Sequence, residues 1–219
     1  MTSPTDIHSV MYNSVPQVQN EVDRVGKPYF MCEYAHAMGH SVGNLKEYWD
    51  VMESSKNGMG GCIWDWVDQA IVSYEDQKAG ILKVNGYNRY RNGNDYPQAP
   101  HQGNFVNNGI ITADRQPTGK LAEVKRIYQY IKFGTLNKTA KTFTLTNKYE
   151  AINLEGMILN WQLPLDGAVV EEGSTTLPSI ASGKSQSIGI NYGDVSGEGE
   201  YLLNVAVCLP EATSWAQAG

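Results

Sequence analysis

The sequence predicts a mixed α/β half, residues 1–133, followed by an all-β half, residues 134–219. Three observations predict it. Short apolar runs alternate with helical patterns as far as Phe133. Those runs are continuous rather than alternating, the pattern of strands buried on both faces of a parallel sheet. From Gly134 the period switches to two, and Asn, Asp, Gly and Ser separate the runs, as in antiparallel sheets.

The elements follow in chain order. "DIHSVMY" reads as a strand, and "VPQVQNEVDRVG" as a weak helix stopped at Gly26. "KPYFMCEYA" is a buried strand; its proline lies at the start, where a missing N–H costs no ladder bond. Val42, Leu45, Trp49 and Met52 then recur at helical spacing, with Ser41 as N-cap and Gly58 beyond the end. "GGCIWDWVDQAI" is the next strand. "TGKLAEVKRIYQYIKF" is an amphipathic helix with Leu121, Val124, Ile127, Tyr128 and Ile131 on one face. In the second half, "KTFTLTNKYE", "GMILNWQLPLDGAVVEEGSTTL", "KSQSIGINY" and "GEYLLNVAVCL" read as strands of a small antiparallel sandwich, with "LDGAV" as a hairpin turn.

Bulk properties narrow the function classes. Hydrophobic residues make up 41% and charged ones 18%, a globular rather than a disordered balance. A net charge of −6 with no Lys/Arg run argues against a nucleic-acid partner. Cys32, Cys62 and Cys208 are odd in number and widely spaced, so neither a disulfide framework nor a CxxC metal site is implied. No apolar run approaches the length of a membrane span, and "MTSPTDIHS" lacks a signal pattern, so a soluble protein is expected. Three parallel strands cannot close a barrel of eight and would leave unpaired edges. The chain therefore reads as a piece of something longer.

Chemistry concentrates in "MCEYAHAMGHSVGN". His36 and His40 have the spacing of a helical metal pair, but Ala, Met and Gly stand between them, without the Glu of H-E-x-x-H sites. Glu33 ends an apolar strand. Charges are rarely buried there unless paired or functional, and the C-terminal strand ends form the active face of parallel α/β folds. It reads either as a reactive carboxylate or as a cap on the next loop. In "IWDWVDQ", Trp64 and Trp66 alternate with Asp65 and point to one side, as a sugar platform or as core. "HQGNFVNNGIITADRQPTGKL" is a polar loop, either ligand-contacting or a solvated turn.

Together, "KPYFMCEYAHAMGHSVGNLKEYWD", "GGCIWDWVDQ" and "NFVNNGIITADRQPTGKLAEVK", in this order, resemble β-galactosidases of glycoside hydrolase family 2. "TDIHSVMY" resembles the preceding strand, and "NWQLPLDGAVVEEG" and "ATSWAQAG" the domain after the barrel. The resemblance implies the last three strands of a (β/α)8 TIM barrel followed by an immunoglobulin-like β-sandwich. It implies Glu33 as catalytic nucleophile, Tyr12 as its hydrogen-bonding support, and His36 and Trp64 as contacts to the galactosyl unit. It implies a sodium ion held by the Phe105 carbonyl and the Asn108 side chain, and an active-site magnesium.

The sequence also departs from that family. The family's acid/base glutamate follows an asparagine at the end of an earlier barrel strand. Asn20–Glu21 is the Asn-Glu pair here, and it sits in a polar helical pattern with no apolar strand before it. The magnesium ligands and the third sodium ligand lie upstream in the family, and His40 stands where asparagine is usual. The expectation is half a catalytic apparatus, inactive alone, in a bacterial cytoplasm or periplasm. Its expected partners are a β-galactoside in the complete enzyme and, through its open edges, a second copy or the missing N-terminal part. A carbohydrate-binding module on residues 134–219 is the alternative.

Overall fold

The computed structural model describes residues 5–24, 26–195 and 197–219. They form two compact units that divide between Tyr128 and Gln129.

The first unit begins with β1 (His8–Met11), α1 (Val15–Glu21), β2 (Tyr29–Tyr34), α2 (Leu45–Ser54) and β3 (Gly58–Ile63). The three strands form one parallel sheet in the order β1-β2-β3. This is the pairing that the continuous apolar runs predict. Pro16 sits in the first turn of α1, and the Gln17 side chain reaches back to the Ser14 amide at 2.8 Å. That bond satisfies an N–H at the helix start. Tyr29 and Met31 of β2 are fully buried in one cluster with Val18 of α1, Val22 at its C-cap, Leu45 and Met52 of α2 and Val124.

Helix α2 starts three residues later than expected. Its N-cap is Asn44 rather than Ser41, because Val42 and Asn44 adopt left-handed backbone (φ 63° and 60°) and no helix passes through them. The expected strand over Trp64–Ile71 is also corrected. β3 ends at Ile63 and the Trp64–Asp65 peptide is cis. The chain beyond is held by backbone bonds to residues 106–111, including Asp65 N–H to Asn108 O at 2.7 Å and Gln69 N–H to Val106 O at 2.7 Å. Trp64 and Trp66 therefore do not share a pleated strand.

The periodicity missed a short helix, α3 (Tyr74–Ala79), a hairpin of β4 (Lys83–Val84) and β5 (Tyr87–Asn88), and a 3-10 turn at Gly93–Asp95. A buried ion pair ties this excursion down: Asp76 accepts from Arg91 Nε at 2.5 Å and Nη2 at 2.6 Å. Helix α4 (Gly119–Tyr128) closes the unit. It stops short of the expected Phe133, because Ile131–Phe133 forms β6 and pairs antiparallel with β7 (Thr142–Asn147). Among the described residues no helix is long and apolar enough to cross a membrane.

The second unit continues with β8 (Ile158–Leu165), β9 (Ala168–Thr176), β10 (Ser185–Gly189) and β11 (Asn204–Cys208). Two antiparallel sheets, β10-β7-β6 and β11-β8-β9, line one core. Period-two burial is plain in β8, where Leu159, Trp161 and Leu163 are buried and Asn160 and Gln162 exposed. Asp166 and Gly167 turn the β8–β9 hairpin with φ 48° and 86°, as a two-residue Asp-Gly loop requires. Asn147 is a fully buried polar side chain satisfied by the Ile152 and Ile180 carbonyls at 2.7 and 2.9 Å.

Candidate active site

The C-terminal ends of β1, β2 and β3 gather Tyr12, Glu33 and Trp64 at one edge of the parallel sheet. The ladder is irregular on both sides of Glu33. Register shifts fall between Val10 and Met11 against β2, and between Met31 and Tyr34 against β3. Such irregularities re-aim side chains and recur beside active sites. Tyr12 carries φ 52° and Ala35 φ 47°, left-handed values on either flank of the carboxylate. Non-glycine residues hold such values only where surrounding contacts over-determine them. One such contact is the Tyr12 N–H to the Glu33 carbonyl at 2.9 Å.

Burial, the Glu33 side chain as a hydrogen-bonding and charged neighbour, and smaller contributions from Cys32 and Asp65 push the Tyr12 phenol up to about 12. Tyr12 therefore stays a neutral donor at physiological pH. Its ring lies 6.1 Å from that of His36, which in turn meets the Phe105 ring edge-on at 6.0 Å. Neighbouring Tyr34 is anchored behind the site. Its hydroxyl meets Tyr128 at 2.5 Å and accepts from Trp49 Nε1 at 2.9 Å, and burial drives its pKa far up.

Trp64 joins this group through backbone. Its N–H donates to the Tyr34 carbonyl at 3.1 Å, and its carbonyl accepts from Ala37 N–H at 2.6 Å. The indole is 37% exposed, so it is open to a ligand face rather than sealed in the core. Asn108 is buried. Its Nδ2 donates to the Phe105 carbonyl at 2.8 Å, and its Oδ1 has no hydrogen-bond partner among the described residues. A buried amide oxygen without a donor is costly unless something else occupies its lone pairs. With the carbonyl three residues earlier it offers uncharged oxygen ligands, the chemistry a hard cation takes. The Oδ1 of Asp65 is likewise buried and unpartnered, while its Oδ2 accepts from Gln69.

The structure thus brings Tyr12, Glu33 and His36 together, with Phe105 beside His36, and links Trp64 and Asn108 to them through short backbone bonds. His40 stands apart, exposed beside a cavity of about 780 Å³ between residues 39–47 and the start of α4. Among the described residues no group of three His, Cys, Asp or Glu side chains is arranged for a metal. Glu21 ends α1, accepting from Asn13 Nδ2 at 3.1 Å and facing His8 Nε2 at 3.5 Å. One contact escaped the sequence reading: Lys120 Nζ donates to the Ala37 carbonyl at 2.7 Å. The available signal was a lysine in the first turn of a helix, where the dipole disfavours a cation.

Comparison with known proteins follows the same division of the chain. The profile of glycosyl hydrolases family 2, TIM barrel domain, matches residues 3–133, and that of beta-galactosidase, domain 4, matches residues 143–219. A beta-galactosidase of Priestia megaterium is 33% identical over 98% of this chain and 20% of its own length. One from Photobacterium profundum is 34% identical over 88% of this chain and 18% of its own length. The chain spans about one fifth of the length of these curated relatives. Among solved structures, Bacteroides uniformis beta-glucuronidase aligns with 92% of this chain and 26% of its own, at 11% identity and a TM-score of 0.35. The profile covering residues 3–133 spans more than half of the sequence, and the chain belongs to glycosyl hydrolase family 2.

Proposed function

We propose that this chain is the C-terminal part of the catalytic barrel, with the following immunoglobulin-like domain, of a retaining β-galactosidase. The observation that carries the reading is the pairing of Tyr12 with Glu33 at the strand ends, through the 2.9 Å backbone bond and the coupling of the phenol to the carboxylate, with His36, Phe105 and an exposed Trp64 around it. Glu33 attacks the anomeric carbon and forms a covalent glycosyl-enzyme, which water then hydrolyses. Tyr12 holds the carboxylate in line. Trp64 offers an apolar face to the galactose ring, and His36 a hydrogen bond to a sugar hydroxyl. Phe105 O and Asn108 Oδ1 would hold sodium, which supplies a fixed positive charge to orient sugar oxygens. The family's magnesium would be held by residues outside this sequence.

Retaining enzymes need a second carboxyl about 5–5.5 Å from the nucleophile. The Asn-Glu pair of this sequence, Asn20–Glu21, ends α1, where Glu21 accepts from Asn13 and faces His8, which supports reading the second carboxyl as supplied from outside this chain. General acid catalysis contributes about 10²–10⁴-fold, so the chain alone is proposed to be catalytically incomplete. Nitrophenyl β-galactoside turnover tests both parts. The complete enzyme is expected to lose activity by orders of magnitude on Glu33→Gln, while the purified 219-residue chain shows none. Robust turnover by the chain alone would overturn its incompleteness.

A second reading is favoured by the edge strands, where Met11 on β1 and Met59 on β3 are more than half exposed. These edges are proposed to pair with the upstream half of the barrel or with another copy; a clean monomer by size-exclusion chromatography would count against the copy. The bacterial relatives favour a bacterial cytoplasm or periplasm. A binding module on the second unit is less favoured, because Trp161 of β8 and Tyr192 are buried in its core.

A further inference from the structure

We infer that Lys120 is a positioning residue of the sugar site, fixing the loop that carries His36; this rests on the galactosidase reading above. The loop between β2 and α2 is poorly determined by its own sequence. Ala35, Gly39, Val42 and Asn44 all take left-handed backbone, with φ 47°, 67°, 63° and 60°. For Ala, and above all for β-branched Val, such values persist only where outside contacts impose them. Packing does not impose them on one side, because the cavity of about 780 Å³ lies between this loop and the start of α4.

Hydrogen bonds take its place, and they meet at Ala37, which is fully buried. Its N–H donates to the Trp64 carbonyl at 2.6 Å, and its carbonyl accepts from Lys120 Nζ at 2.7 Å. One residue thus joins the loop to the Trp64 floor on one side and to α4 on the other. His36 immediately precedes it. The bond from Lys120 is charge-assisted, the stronger class.

The start of α4 is itself tied to the segment that carries Asn108. Thr118 Oγ1 donates to the Ile110 carbonyl at 2.6 Å and accepts from the Lys120 amide at 3.2 Å. Asn108, Thr118, Lys120, Ala37 and His36 therefore form a continuous frame. An ammonium in the first turn of a helix opposes the dipole. The Ala37 carbonyl is what offsets that placement here.

Two measurements test the inference. In the chain as it stands, Lys120→Met is expected to speed amide hydrogen exchange over residues 35–44 by about tenfold, and Lys120→Arg, which restores a donor, to recover the protection. In the complete enzyme, Lys120→Met is expected to raise KM for nitrophenyl β-galactoside about tenfold with a smaller change in kcat, again recovered by Lys120→Arg. Unchanged exchange overturns the inference. So does faster exchange with an unaltered KM, which would make the bond a structural clamp only. A wild-type complete enzyme that hydrolyses no β-galactoside would instead overturn the galactosidase reading, and the role of Lys120 with it.

Discussion

Tyr12 donates its backbone N–H to the Glu33 carbonyl at 2.9 Å across the β1–β2 register shift, and burial together with the Glu33 side chain pushes its phenol up to about 12. A phenol pushed up from 10 favours the folded state while neutral. Its contribution is fully present below about pH 10 and is lost as pH rises towards 12. Several phenols, Tyr34 among them, titrate late, and spectrophotometric tyrosinate titration is expected to lose one of these late-titrating groups in Tyr12→Phe. In the complete enzyme the same substitution removes the hydroxyl that is coupled to the Glu33 carboxylate. It is expected to lower kcat/KM by about 10- to 100-fold.

Asn108 predicts a sodium dependence. Its buried Oδ1 lacks a hydrogen-bond donor, and a bound cation would satisfy it. Exchanging sodium chloride for choline chloride at constant ionic strength is expected to lower the melting temperature of the complete enzyme, by mass action. Asn108→Ala is expected to melt at the same temperature in both salts. A variant that keeps the sodium response would remove Asn108 from the site.

Asp76 predicts acid lability of the 73–91 excursion. The hydrogen bonds from Arg91 hold its carboxyl down at about 2, helped by Ser73 and the charge of Arg89. A depressed carboxyl stabilises the fold above its ordinary value near 4 and ceases to do so as pH falls through 2. Thermal melts of wild type and Asp76→Asn should differ most at neutral pH and converge between pH 4 and 2. Curves that stay apart at pH 2 would show that the ion pair is not the cause.

Gly173 predicts an overpacking cost in the second unit. It faces Trp161 across β8 and β9, and a Cβ there would lie 2.6 Å from the indole. Gly173→Ala is expected to destabilise by about 1–3 kcal/mol, read as a lowered urea midpoint. An unchanged midpoint would mean that Trp161 has room to move.

The sequence by itself determined the order of β1, α1, β2, α2 and β3 and their parallel pairing, because continuous apolar runs and helical spacing are properties of near neighbours. It also singled out Glu33, a charge at the end of an apolar strand, and the Asp166–Gly167 hairpin. Only tertiary structure decided where α4 yields to β6. Ile131 fits the helical stripe, yet it pairs with Asn147 and is buried in the second core. Only tertiary structure ended the strand at Ile63, since the chain from Asp65 to Gln69 makes its backbone hydrogen bonds with residues 106–111. The bond from Lys120 to Ala37 spans 83 positions of chain. Periodicity within a turn or a pleat carries no trace of it, because a hydrogen bond between distant segments depends on where the fold sets them down.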